Sequence, residues 1–173
     1  HVTDAFEALE RSVRAALDRL AAMQVDFVKI TENTLTPALY RYALGEATRR
    51  GFRTSAHVPV AVTIDEAVSA GLGSVEHLSY LLRAGSPREA ALSAAVAAGT
   101  MPAGDAVTQM IETFDPAVAM AAFRRLAARG KAVTPTLNGS RILAYLDRDT
   151  HAGDDDLRYL GAGLKATYEG RVT

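Results

Sequence analysis

The sequence contains no cysteine. Disulfides, zinc-thiolate sites and cysteine nucleophiles are thereby excluded, while oxidising and reducing compartments both stay open, and localisation with them. An excess of one charge is also missing, since 19 basic against 20 acidic side chains leave a net charge of −1. No cluster of Lys and Arg with interleaved aromatics offers a phosphate footprint, so nucleic acid is not expected as a partner. Long hydrophobic runs are lacking too. Stretches such as Ala90 to Ala98 fall far short of the roughly 20 residues that span a bilayer, and no membrane partner is expected. The chain does not begin with Met, its first residues pass straight into a helical pattern, and Leu164 to Thr173 still read as helical. A fragment of a longer protein is the expectation.

What is present is an ordinary globular composition, 49% hydrophobic and 23% charged. A chain of 173 residues buries one sizeable core, removing roughly two-thirds of its unfolded surface from water, and a single domain over 1–173 is expected. Helix punctuation recurs. Asp4 with Glu7 reads as a cap for a helix whose stripe is Phe6, Leu9, Val13, Leu17 and Leu20, running to about Gln24. Val25 to Ile30 is short, rich in β-branched and aromatic residues, and reads as a buried strand, followed by a loop over Thr31 to Leu35. Thr36 and Pro37 open a helix that Gly51 ends; Phe52 to Val58 is the second strand. Thr63 and Glu66 form a capping-box pattern for a short helix ending near Gly71, and Gly73 to His77 is a third strand. Ser86, Pro87 and Glu89 open a helix to Gly99, and a second stretch follows near Asp105 to Phe114. Asp115 with Pro116 begins the next helix, Gly130 ends it, and Lys131 to Leu137 is the fourth strand. Asp154, Asp155 and Asp156 precede the last helix, where carboxylates suit the positive end of the dipole. Strands alternating with helices predict parallel pairing through right-handed crossovers, hence an α/β sheet or barrel.

In such folds functional groups gather at the carboxyl ends of the strands. Lys29, His57 and His77 fall there, in three successive βα units. Two histidines from neighbouring parallel strands can point at one ion, and their 20-residue separation fits one crossover. Taken singly, each has a plainer explanation: a strand-end histidine is commonly a hydrogen-bonded rim residue, and Lys29 could pair with Glu32. An unpaired ammonium in an apolar strand costs several kcal/mol. Other motifs fail. Asp147-x-Asp149-x-His151 starts like a calcium loop, but Ala152 and Arg158 stand where Gly and Glu are required. Neither a dinucleotide-binding turn nor a Gly-x-Ser-x-Gly elbow is found.

Asp26-Phe27-Val28-Lys29-Ile30, Ser55-Ala56-His57 and Gly71-Leu72-Gly73-Ser74-Val75-Glu76-His77, in that order, resemble the central strands of the amidohydrolase superfamily, in its imidazolonepropionase and prolidase-like branch. Thr134-Pro135-Thr136-Leu137 resembles the following strand, so the likeness runs from Phe27 to Asn138. It implies a (β/α)8 barrel of the TIM type, a lysine carboxylated to bridge two metals at Lys29, and metal-ligand histidines at His57 and His77. The family's His-x-His pair on the first barrel strand and its metal-bound aspartate after the last are not found. His1 is followed by Val2 and Thr3, and His151 is the only other histidine. With a full barrel needing about 250 residues, the chain reads as a partial barrel of about four central βα units.

The function this implies is hydrolysis of a C–N bond, in an amide, cyclic amide or dipeptide, by water bound to one or two divalent ions, zinc foremost. Lys29, His57 and His77 are the metal ligands; Thr136 and Asn138 are the candidate substrate contacts, with loop capping as their plainer role. No catalytic general base is identified, and Glu76 is expected to alternate to the opposite face as a structural partner. The alternative is a non-catalytic truncated barrel serving as scaffold or assembly unit, because open strand edges recruit partners. A Schiff-base lyase using Lys29 is a third option, which leaves the histidines idle. Apolar inward residues Phe27, Val75 and Val133 are expected to drive self-association.

Overall fold

The structure, a computed structural model, describes residues 2–31, 34–145, 147–148 and 153–169. Glu32, His1, His151, Asp149, Ala152 and the tail beyond Glu169, all weighed above, lie outside the described residues. The chain divides into two compact units, His1–Pro135 and Thr136–Thr173.

The first unit alternates helix and strand as its sequence predicts: α1 (Val2–Ala22), β1 (Val28–Ile30), α2 (Pro37–Arg49), β2 (Thr54–Ala56), α3 (Ile64–Ser69), β3 (Ser74–Glu76), α4 (Leu78–Leu82), α5 (Glu89–Ala97), α6 (Ala103–Glu112), α7 (Pro116–Ala128) and β4 (Ala132–Thr134). Local chemistry sets many of these boundaries. The Thr36 hydroxyl accepts from the Leu39 amide ahead of Pro37, and the Thr63–Glu66 capping box closes in both directions. Asp115 accepts from the amides of Ala117 and Val118 to start α7.

The four strands are all parallel, in the order β1-β2-β3-β4. When every right-handed crossover steps the same way, the helices collect on one face of the sheet. Burial bears this out. Ala56 and Val75 lie in the main core with Tyr40, Leu44, Ala67 and Val68 of α2 and α3, while Val28 packs on Leu17 and Ala47. A third cluster joins α5 to α6 through Leu92, Ala106 and Met110. The other face carries Lys29, Ser55, Ser74, Glu76 and Thr134, aligned by a register that sets Lys29 beside Ser55, Ser55 beside Ser74 and Glu76 beside Thr134.

Several expectations need correction. Helix α1 already begins at Val2, so Asp4 lies in its first turn rather than capping it. Gln24 takes φ +52 after α1, and the first strand starts at Val28, not Val25. Residues 78–82 fold as α4, too short for a periodic signal to reveal. Ahead of α5 the cap is Arg88 without a side-chain bond, and Glu89 instead accepts from the amide of Ile64 at the start of α3. The fourth strand stops at Thr134: Pro135 has no amide to donate, Thr136 turns left-handed at φ +46, and Leu137 opens a helix. Val75 is 1% exposed on the helix-covered face and is not an open apolar residue; Val133 pairs beside it but stays 38% exposed, and Phe27 lines the groove on the other face.

The second unit holds α8 (Leu137–Ala144), a 3-10 turn at Asp155–Tyr159 and α9 (Ala162–Glu169). Asp155 and Asp156 form that turn's first residues. Among the described residues no helix is long and apolar enough to cross a membrane.

Candidate functional site

His57 and His77 stand one residue past the ends of β2 and β3. Ladder bonds pin both backbones: the His57 amide donates to the Ile30 carbonyl at 2.9 Å and the His77 amide to that of Thr134 at 2.8 Å. His77 has φ +62 and ψ 132, a conformation that L residues rarely adopt. Such a backbone costs of order 1–3 kcal/mol and persists only where its surroundings enforce it. The two imidazoles converge, Nε2 to Nε2 at 3.0 Å, with ring centroids 4.9 Å apart. Tyr80 covers them, nearly parallel to His57 at 5.2 Å and tilted to His77 at 6.0 Å.

Burial depresses the pKa of His57, and the charges of His77 and Lys29 push the same way, against a hydrogen bond to the Thr31 backbone and the charge of Glu76. That bond to Thr31 fixes the ring.

Lys29 and Glu76 lie on the same face, Nζ to Oε2 at 3.6 Å. Lys29 is therefore not a buried ammonium in an apolar strand: its side chain is about one-third exposed and has an acidic partner. Glu76 is a site residue that strand alternation counted from His77 hides, because the left-handed turn at His77 breaks that alternation. Its carboxylate takes the Ser55 hydroxyl at 2.6 Å and the Ser74 hydroxyl at 3.3 Å. Burial alone raises its pKa, but hydrogen bonds from Ser55 and Thr134 with the charge of Lys29 outweigh it and hold the group below the usual carboxylate range. The pattern Ser-x-Glu on β3 opposite Ser55 on β2 was the available signal.

An open groove of about 760 Å³ runs along this polar face, lined by Phe27, Lys29, Ser55, Ser74, Glu76 and Thr134 among others. Lys29 and Glu76 line this groove and His57 and His77 do not; the charges of Lys29, His77 and Glu76 are nonetheless all felt at His57. Thr136 and Asn138 belong to the second unit, Thr136 preceding α8 and Asn138 exposed in its first turn. Among the described residues no group of three or more His, Asp or Glu is arranged to hold a metal.

The histidine pair could supply two nitrogens to an ion. Two nitrogens bound to one tetrahedral zinc at ~2.0–2.1 Å stand roughly 3.3 Å apart, and the observed 3.0 Å needs only a slight opening. Compared with family models, with curated proteins and with solved structures, the chain finds no match.

Proposed function

We propose that the chain carries the central part of a metal-dependent hydrolase acting on C–N bonds of amides, cyclic amides or dipeptides, and that its four βα units are a segment of a (β/α)8 barrel of the amidohydrolase type. The observation that carries this reading is the convergence of His57 and His77 from adjacent parallel strands, Nε2 to Nε2 at 3.0 Å. The one-directional strand order and the polar uncovered face support the barrel.

His57 and His77 would hold a divalent ion, and Lys29, once carboxylated, would add oxygen ligands. Such an ion supplies water with a pKa near 7 and polarises the scissile carbonyl. Tyr80 keeps water from one side of both rings. Glu76, filled by three hydroxyls and an ammonium, is suited to hold a cation in place rather than to take a proton from water. Carboxylation requires Lys29 to leave Glu76, so the carboxylate gates the amine.

Equilibrium dialysis against Zn²⁺ tests the reading. Uptake by the wild-type chain that His57→Ala and His77→Ala each abolish supports it. The site lacks the family's remaining ligands, so the uptake expected is weak; uptake indifferent to both substitutions, or none even at saturating Zn²⁺, overturns the reading.

A further inference from the structure

Arg83 lies in a single 3-10 turn (Arg83–Gly85) after α4 and is only 3% exposed. A buried guanidinium is tolerated where its donors are matched, and here they are matched by main chain. Nη2 donates to the Val58 carbonyl at 2.9 Å, Nη1 to Pro59 at 3.2 Å and Nε to Tyr80 at 3.2 Å. The positions of these carbonyls are informative. Val58 and Pro59 directly follow His57, and Tyr80 is three residues after His77. One rigid, planar group thus ties together the two segments that leave the two histidines. The same guanidinium lies 5.8 Å from the centre of the Tyr80 ring, and that ring stacks at 5.2 Å on His57 with 20° between planes. Guanidinium and imidazole thus both lie against the Tyr80 ring.

We infer that Arg83 is the positioning residue of the site: it sets the spacing and ring orientation of His57 and His77 by clamping the segments behind them and seating Tyr80 against His57. The inference rests on reading the two histidines as a shared ligand pair. Lysine cannot substitute, because a point charge on a flexible stem reaches neither all three carbonyls nor the stacked geometry. Partners that orient a metal-bound histidine are worth about 10–100-fold in metal affinity.

The test uses Co²⁺ as probe with the wild-type chain, Arg83→Lys, Tyr80→Leu, and Met110→Ala as a destabilising control in the separate α5–α6 cluster. Co²⁺ affinity and visible ligand-field bands are read beside thermal stability, and imidazole ¹⁵N shifts are read on the metal-free proteins. Arg83→Lys should lose about tenfold or more in affinity, with shifted bands, while Met110→Ala loses stability with affinity and bands unchanged. Tyr80→Leu keeps the three carbonyl bonds and should show a smaller loss, and it stands in if Arg83→Lys does not fold. If the Arg83 and Met110 variants behave alike, the positioning role is overturned. If the wild type takes up no Co²⁺ through the histidines, the ligand-pair reading fails by itself. The ¹⁵N shifts then decide: loss of the His57–His77 hydrogen bond in Arg83→Lys alone upholds the role, and its survival there overturns it.

Discussion

Lys29 on β1 and Glu76 on β3 reach each other across the intervening strand, Nζ to Oε2 at 3.6 Å, while Ser55 of that strand bonds the other carboxylate oxygen. With Thr134 of β4 also bonded to it, one carboxylate fastens all four strands on the uncovered face. Glu76→Gln, which removes the charge that Lys29 and the hydroxyls address, should lower stability by about 1–3 kcal/mol. Chemical denaturation measures this; an unchanged midpoint would show that the contact does not tie the strands.

In the proposed full-length hydrolase, Lys29→Ala should cut activity by orders of magnitude with the fold nearly intact, since the Lys29 side chain is partly exposed and leaves Glu76 its hydroxyl partners. Added short carboxylates should restore part of the loss by supplying oxygens, and Lys29→Arg should not. Inactivation by borohydride in the presence of substrate would point instead to an imine and a lyase.

The fold was legible wherever a boundary has its own chemistry. Thr36 with Pro37, Thr63 with Glu66 and Asp115 with Pro116 each supply a local cap, and the helices start there. The strand ends were less so, because a left-handed residue such as Gln24 or Thr136 carries no compositional mark. For the site, Lys29, His57 and His77 could be picked out because the carboxyl end of a parallel strand is where such residues act. Glu76 could not. Its role depends on a backbone turn at the next residue, and no period in the sequence encodes it.

At Gly73, which leads into β3, an added Cβ would lie 2.8 Å from the Thr54 carbonyl oxygen. Because the obstacle is backbone, Gly73→Ala should destabilise by about 1–3 kcal/mol. Gly45 within α2 is the contrast, its nearest neighbour being 3.8 Å away, and Gly45→Ala should be neutral or stabilising by up to ~1 kcal/mol. Thermal melts of the two variants compare them directly, and equal losses would contradict the packing argument.

Glu46 accepts hydrogen bonds from Arg49 and Arg50, which draw its pKa from 4.5 down to about 2. Its folded pKa lies below the unfolded one, so the stabilisation is complete above about 4.5 and is lost as the pH falls toward about 2. Arg50 also pairs with Asp18 of α1, so the loss loosens α1 from α2. Denaturation between those limits should show a steeper acid dependence in the wild type than in Glu46→Gln. Parallel curves would remove the assignment.

Among the described residues β1 and β4 each pair with one neighbour only, and Phe27 and Val133 are 54% and 38% exposed. Open edges beside apolar side chains favour association. Sedimentation velocity on the purified chain should show a dimer or larger species that Val133→Lys reduces. A monodisperse monomer with cooperative unfolding would rule this out.

The left-handed backbone at His77 sets stability and chemistry against each other at a single position. Glycine adopts that conformation without strain, so selection for folding alone favours glycine there, and selection for a ligand favours the imidazole. In a lineage released from the proposed activity, position 77 is accordingly where divergence would first bring a gain in stability, well before any change in the buried strands around it.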